Sequence, residues 1–184
     1  AKVPQLDLKS CSGCGTCVAV CPALAIELDG FEYETISQQI RNYRSLIPRM
    51  RQKNKKPVIL VLGCQWSEFS NLDLPRKTAT KNVVFEGLPC AGRVDTLHIL
   101  EAFHLGFDGV LVAACKKDEC KLEKGNEEAE QRIGSLKKLL AEINLGERLE
   151  MCFVSPKSAG DLDGHVKSFM EKIDSSSLRG AVEE

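Results

Sequence analysis

Four cysteines near the N-terminus have the spacing of an iron–sulfur site. Residues 11–22 read Cys-Ser-Gly-Cys-Gly-Thr-Cys-Val-Ala-Val-Cys-Pro, a C-x2-C-x2-C-x3-C-P run that holds four-iron clusters. Three thiolates must reach one cluster, so the chain has to wrap tightly, and Gly13 and Gly15 permit the positive φ angles that this requires. Structural zinc is the alternative, but zinc sites usually pair two separated C-x2-C units. The run therefore predicts a [4Fe–4S] cluster on Cys11, Cys14, Cys17 and Cys21.

The fourth ligand of this cluster stays open at the level of sequence. In chains with two such runs, the fourth cysteine serves the other cluster, and this chain has one run. Either Cys21 closes the same cluster, or a run outside this chain supplies the ligand, or a remote cysteine such as Cys152 does. A run outside the chain would fit a chain cut from a longer protein.

Beyond residue 57, apolar runs alternate with helical patterns. Buried strands are predicted at 58–62 and 109–114, a short strand at 83–85 and a further strand at 149–154. Helices are predicted near 94–103, 126–143 and 166–173. An earlier helical stripe runs from Ile36 to Met50, and Pro48 is expected to bend or shorten it. Alternating strands and helices predict an α/β fold, a Rossmann-like parallel sheet with helices on both faces, preceded by a small ferredoxin-type module.

Four more cysteines follow the predicted strands: Cys64, Cys90, Cys115 and Cys120. The first three each follow a different strand, and the fourth lies in the loop after the third strand. Because the carboxyl ends of parallel strands share one edge, these thiols are expected to converge there. Iron–sulfur, zinc, a redox dithiol and core packing all remain open; a neighbouring redox centre favours iron–sulfur. Positive charge is expected nearby from Lys116, Lys117 and Lys121.

A resemblance to a known family appears in this same region. Residues 60–155 resemble the delta-subunit family of methyl-viologen-reducing hydrogenase, the iron–sulfur subunit that links hydrogenase to heterodisulfide reductase. The similar pieces are Gly-Cys-Gln-Trp at 63–66, Cys-Ala-Gly-Arg-Val-Asp at 90–95, Asp-Gly-Val-Leu-Val-Ala-Ala-Cys at 108–115, Cys120 with Glu-Lys-Gly-Asn at 123–126, and Ser155. One departure is that Gln65 and Ser67 flank a single cysteine, where family members often carry more.

The resemblance extends to the N-terminal part. Residues 11–40 are similar to the ferredoxin part of the heterodisulfide reductase flavoprotein subunit and its relatives in quinone-interacting oxidoreductases. The resemblance implies a [2Fe–2S] cluster on Cys64, Cys90, Cys115 and Cys120. It also implies an electron-transfer subunit of anaerobic metabolism, whose partners are a flavoprotein subunit and a hydrogenase, dehydrogenase or quinone-linked subunit. No catalytic step of its own is expected.

The composition limits which kinds of partner and which cellular compartment are expected for this protein. Lys and Arg total 25 against 26 Asp and Glu, and this balance does not favour a nucleic-acid partner. The longest apolar stretch, 58–62, is too short to cross a bilayer, and no secretory signal is visible, so membrane insertion is not expected. Nine cysteines in such a chain indicate metal binding or redox chemistry in a reducing compartment. We expect a cytoplasmic location.

Four sections are expected along the chain. They are a ferredoxin-type [4Fe–4S] module at 1–31, a helical connector at 32–56, an α/β [2Fe–2S] domain at 57–175 and a flexible tail at 176–184. The first section would be half of a two-run domain if a second run lies outside the chain.

Two other functions compete with electron transfer. One is a zinc-stabilised docking module of a redox complex, and the other is a thiol–disulfide enzyme using Cys115 and Cys120, whose spacing is unusual for a redox dithiol. Cys152 is expected to pack in the core. With four cysteines available, His98 and His104 are not expected to ligate a cluster. Trp66 and Phe69 would shield a cluster or belong to the core, with the core favoured.

Overall fold

A four-stranded parallel sheet forms the centre of the chain. The computed structural model describes residues 5–67, 82–158 and 160–175. Its strands are β1 (Ile59–Cys64), β2 (Val83–Leu88), β3 (Gly109–Cys115) and β4 (Leu149–Val154). They pair in the order β2-β1-β3-β4, and every pair is parallel. The predicted α/β fold with a parallel sheet is confirmed.

The burial of each strand follows from its position in the sheet. Every residue of the two central strands, β1 and β3, is buried, whereas the edge strands β2 and β4 mix buried with half-buried positions. A strand covered on both faces needs an unbroken apolar sequence, which is why the first and third strands are the clearest in the sequence.

Six helices accompany this sheet in the described ranges. They are α1 (Thr16–Val20), α2 (Tyr33–Asn42), α3 (Ile47–Asn54), α4 (Thr96–His104), α5 (Gly125–Ala141) and α6 (Asp161–Ser175). Short 3-10 turns occur at Ala91–Arg93, Lys117–Glu119 and Gly146–Arg148. Within residues 5–67, 82–158 and 160–175, each helix is too short or too polar to span a membrane.

The apolar stripe from Ile36 to Met50 belongs to two helices. The chain leaves the first helix at Tyr43 and enters the second at Ile47, with Pro48 in its first turn. Proline lacks an amide hydrogen and is accepted at a helix start, where that hydrogen would have no helical partner. The expected effect of Pro48 on the stripe is thus a break between two helices.

Apolar side chains cover both faces of the sheet. One face packs against α2, α4 and α5, which contribute Ile40, Ile99 and Ile133 to a large buried cluster. The opposite face packs against α6, which contributes Val166 and Phe169 to a second cluster. The predicted placement of helices on both faces is confirmed. The predicted sections at 1–31, 32–56 and 57–175 stay predictions, and the tail at 176–184 lies outside the described residues.

Candidate functional site

Three cysteines lie at the carboxyl ends of three adjacent strands. Cys64 is the last residue of β1 and Cys115 the last of β3, while Cys90 follows the end of β2 by two residues. Since β1 lies between β2 and β3, these residues occupy one edge of the sheet, as expected for parallel strands. Cys120 follows the 3-10 turn Lys117–Glu119 beyond β3. We call Cys64, Cys90, Cys115 and Cys120 the rim thiols.

The rim thiols contact one another. Hydrogen bonds from the Cys115 and Cys90 thiols, the first larger in effect, stabilise the thiolate of Cys64 and lower its pKa to about 3. The same interaction with Cys64, followed by burial, raises the pKa of Cys90 and of Cys115. Cys120 adds a further hydrogen bond to Cys115. The convergence expected from topology is present, and Cys64 is its centre.

Small side chains surround this cluster of sulfur atoms. Cys64 and Cys115 pack with Ala91, Ala114 and Ala129, and the partly buried Cys120, Met151 and Phe153 lie against them. The alanines place only methyl groups beside the sulfurs, and the larger Met151 and Phe153 pack against the same cluster. Soft thiolate donors in a mostly buried set are the ligand type of iron–sulfur clusters and of structural zinc.

Two side chains fix the loops that carry the rim thiols. Arg132 donates from Nε to Val94 O (3.0 Å) and from Nη2 to Gly92 O (2.8 Å), which ties the Cys90 turn to α5. Asn126 is fully buried and donates from Nδ2 to the carbonyls of Cys115 and Lys116, at 3.0 Å each. Asn126 stands at the start of the helix predicted near 126–143, and α5 begins one residue earlier, at Gly125. The sequence gave no sign of the roles of Asn126 and Arg132 in holding these loops.

The turn after Cys90 presents a backbone amide to its sulfur. Cys90 caps the 3-10 turn Ala91–Arg93, and the Gly92 amide donates to Cys90 Sγ (3.4 Å). An amide directed at sulfur stabilises a thiolate.

The N-terminal run, residues 11–22, folds as its glycines predict. Gly13 and Gly15 have φ angles of 71° and 73°, and α1 begins directly after the second of them. The backbone amides of Ala25 and Ala23 donate hydrogen bonds to Cys21 and lower its pKa. Cys11 and Cys17 are exposed, and Cys14 is half-buried. A cleft lies between this run and the start of α5, lined by Cys14, Thr16, Cys17, Leu122, Gly125 and Glu128. Two of the four cysteines of the run therefore line one cleft, and thiolates are the donors that hold iron–sulfur clusters.

The two cysteine groups approach each other through glycines. A Cβ placed on Gly125 would overlap Cys90 Sγ and would lie 3.7 Å from Cys14 Cβ. A Cβ on Gly92 would overlap Thr16 Oγ1 and would lie 3.1 Å from Gly125 Cα. The N-terminal run is therefore packed directly against the edge of the sheet that carries the rim thiols. Sequence reasoning did not identify this proximity.

The remaining sequence candidates lie elsewhere. Cys152 packs in the apolar cluster beneath α6, on the sheet face opposite to α5. His98 is fully buried on α4 and stacks on Tyr33, with ring centroids 4.6 Å apart. Trp66 is 50% exposed, so its expected place in the core is wrong. Phe69 lies outside the described residues.

The basic residues of the loop after β3 engage carboxylates. Lys117 Nζ lies 2.8 Å from a Glu130 oxygen, and Lys116 Nζ lies 3.9 Å from an Asp161 oxygen. The Lys117 side chain is more than half exposed and that of Lys116 is half exposed. Their charge is thus partly offset and screened by water.

In the described parts of the chain, no group of three or more His, Cys, Asp or Glu side chains has the arrangement of a single-ion metal site.

Comparison with family models covers both cysteine groups. Residues 59–175 match the model of the methyl-viologen-reducing hydrogenase delta subunit, and residues 4–27 match a 4Fe-4S binding domain. The first match contains all four rim thiols and the second contains the whole N-terminal run.

Individual relatives match either about two thirds of this chain or nearly all of it. The vhu iron-sulfur subunit of the F420-non-reducing hydrogenase of Methanococcus maripaludis is 36% identical over 64% of this chain and 91% of its own length. The corresponding subunit of Methanocaldococcus jannaschii is 34% identical, again over 91% of its length. One subunit of the ferredoxin:CoB-CoM heterodisulfide reductase of Methanosarcina mazei is 32% identical over 92% of this chain. The chain spans about a quarter of the length of that last relative.

Proposed function

This chain belongs to the family of the methyl-viologen-reducing hydrogenase delta subunit, and from that premise we propose that it relays single electrons within an oxidoreductase complex. The proposed relay runs between a hydrogenase, dehydrogenase or quinone-linked module and a heterodisulfide-reductase-like flavoprotein. The names of its relatives, an iron-sulfur subunit of a hydrogenase and a subunit of a heterodisulfide reductase, support both sides of this pairing.

The observation that carries the proposal is the convergence of the rim thiols next to the N-terminal run. Cys64, Cys90, Cys115 and Cys120 come from four separate places in the sequence and meet at one largely buried edge. Gly125 lies between Cys90 Sγ and Cys14 Cβ, at a place where a Cβ would touch both. Two adjacent thiolate sites suit an electron relay better than either site alone.

We assign the ligands as follows. Cys11, Cys14 and Cys17, together with Cys21 or a thiol from outside this chain, hold a [4Fe–4S] cluster. Cys64, Cys90, Cys115 and Cys120 hold a [2Fe–2S] cluster. When bound, such clusters accept and release one electron at a time without making or breaking a bond in a substrate.

The chain's own residues have three tasks in this relay. Asn126 and Arg132 fix the loops that carry the rim thiols. Gly92 and Gly125 allow the two sites to approach, because neither carries a side chain. Met151 and Phe153 pack over the rim thiols and make their surroundings less polar. The polarity around a cluster is one of the factors that set its reduction potential. The clustered free thiols suit a reducing compartment, and we propose a cytoplasmic location.

Metal analysis combined with electron paramagnetic resonance tests the proposal. The full chain, purified without oxygen and reduced with dithionite, is expected to contain iron and acid-labile sulfide and to show two distinct reduced-cluster signals. Zinc bound without any reduced-cluster signal would contradict the proposal and favour the zinc-stabilised docking module.

A pair of cysteine substitutions tests the ligand assignment. Cys90→Ser is expected to remove the [2Fe–2S] signal and to spare the [4Fe–4S] signal. Cys152→Ser is the matched control, because Cys152 is also buried but lies in the apolar cluster beneath α6. It is expected to keep both signals. Retention of both signals in Cys90→Ser would refute the grouping of the rim thiols.

A further inference from the structure

Arg93 is a fully buried cation with incomplete hydrogen bonding. Its side chain is 0% exposed, and its Nε donates to the Phe31 carbonyl at 3.0 Å. Its two terminal nitrogens, Nη1 and Nη2, have no hydrogen-bond partner among the described residues. A buried charged donor without a partner is strongly destabilising, so a native structure that keeps one requires an explanation.

The side chain of Arg93 passes beneath the N-terminal run. A Cβ on Gly15 would lie 2.8 Å from Arg93 Cδ and 3.1 Å from Arg93 Cβ. Gly15 stands between Cys14 and Cys17 in the sequence. The buried side chain of Arg93 is therefore held against the turn that carries two of the proposed [4Fe–4S] ligands.

The other charges around Arg93 do not satisfy it. Asp95 and Glu32 attract the guanidinium and Arg132 repels it. Asp95 Oδ1 accepts from the Leu97 amide, and Glu32 accepts from Gly30 N and Thr35 Oγ1. Neither carboxylate accepts a hydrogen bond from Nη1 or Nη2. The missing acceptor thus has to come from something other than these side chains.

We propose that the terminal nitrogens of Arg93 donate hydrogen bonds to sulfur atoms of the [4Fe–4S] cluster on the N-terminal run and thereby raise its reduction potential. This inference rests on the proposed function. Arginine stays protonated in proteins, so the interaction supplies a fixed positive charge and involves no proton transfer. A fixed positive charge and hydrogen bonds to sulfur favour the more negative, reduced cluster. The cluster gains one electron from its donor, and no covalent bond changes.

A redox titration followed by paramagnetic resonance tests the inference on the full, cluster-loaded chain. Arg93→Met keeps the length of the side chain and removes both the charge and the donors. At a fixed potential, the ratio of oxidised to reduced [4Fe–4S] cluster is expected to rise at least tenfold. For a one-electron couple this corresponds to a midpoint potential that is lower by about 59 mV. The midpoint potential of the [2Fe–2S] cluster is expected to change less. Arg93→Lys keeps the charge and is expected to retain part of the wild-type potential.

Arg148→Met is the matched control. Arg148 is also a buried arginine, 5% exposed, with an unpartnered Nε in the described structure, but it precedes β4 at the opposite edge of the sheet. Its replacement is expected to leave both potentials unchanged. A purely structural role for Arg93 predicts lower stability with unchanged midpoints.

A second measurement needs no substitution. In wild-type protein grown with 15N-guanidinium arginine, pulsed paramagnetic resonance of the reduced [4Fe–4S] signal is expected to show a 15N coupling. Three results would each overturn the inference alone. The first is an Arg93→Met protein that keeps both signals and an unchanged [4Fe–4S] midpoint potential. The others are equal shifts in the midpoint potentials of both clusters in that variant, and the absence of a 15N coupling in the wild type. Wild-type protein without a [4Fe–4S] signal would overturn the proposed function as well.

Discussion

Replacement of Gly125 by alanine tests the packing that joins the two cysteine groups. The new methyl group would overlap Cys90 Sγ and would lie 3.6 Å from Gly92 N and 3.7 Å from Cys14 Cβ. The sulfur, the turn or the start of α5 must then shift. Overpacking of this kind costs about 1–3 kcal/mol of stability. For a chain of this size, each kcal/mol lowers the melting temperature by about 2–4 °C.

Gly134→Ala is the control on the same helix. A Cβ on Gly134 would meet nothing within 4 Å, and the residue is exposed in the interior of α5. Alanine is expected to stabilise the protein there by about 0.5–1 kcal/mol, because glycine is a poor helix former. The two substitutions are chemically identical, but their effects on the free energy of unfolding should have opposite signs.

Thermal unfolding, iron content and the paramagnetic resonance spectrum of both variants provide the assay. Gly125→Ala is expected to melt several degrees below the wild type and to lose intensity in the [2Fe–2S] signal, because Cys90 is displaced. Gly134→Ala is expected to melt slightly above the wild type with full iron content. Equal stability and equal iron content in the two variants would refute the packing of Gly125 between Cys90 and Cys14.

Two further predictions concern the N-terminal run and a buried carboxyl. Gly92→Ala would place a methyl group on Thr16 Oγ1, so hydrogen exchange of residues 13–20 is expected to accelerate; unchanged exchange there would contradict the contact. Burial raises the pKa of Glu86, which accepts a hydrogen bond from the Tyr43 hydroxyl (3.1 Å). A carboxyl with a raised folded-state pKa stabilises the protein below the unfolded value of 4.5, and that contribution is lost as the pH rises. Denaturant titrations should therefore show Glu86→Gln gaining stability relative to the wild type from pH 4.5 upward, and a difference independent of pH would contradict this.

The sequence predicted the parts of this molecule that depend on local pattern. Residues 58–62 and 109–114 are unbroken apolar runs, and they became the two fully buried central strands β1 and β3. The meeting of Cys64, Cys90 and Cys115 followed from one rule about the carboxyl ends of parallel strands. The positive φ angles of Gly13 and Gly15 followed from the tight wrapping that the cysteine spacing requires.

The features that the sequence did not reveal depend on tertiary packing. Arg93 and Arg132 are charged residues, which are normally exposed, and only the fold explains why one is fully buried and the other holds the Cys90 turn. The proximity of the two cysteine groups depends on Gly92 and Gly125, which have no side chains to form a pattern. Gly92, two residues after Cys90, and Gly125, the first residue of α5, are local signals in the sequence that point to a close approach of backbones there.

Mössbauer spectroscopy of the full chain, loaded with 57Fe during growth, tests the central claim most directly, because it detects all iron whatever its spin state. We expect two subspectra, one from a four-iron and one from a two-iron cluster, with Cys90→Ser retaining the four-iron subspectrum alone. A single kind of iron site in the wild type, or zinc at the rim thiols with no two-iron component, would contradict the account.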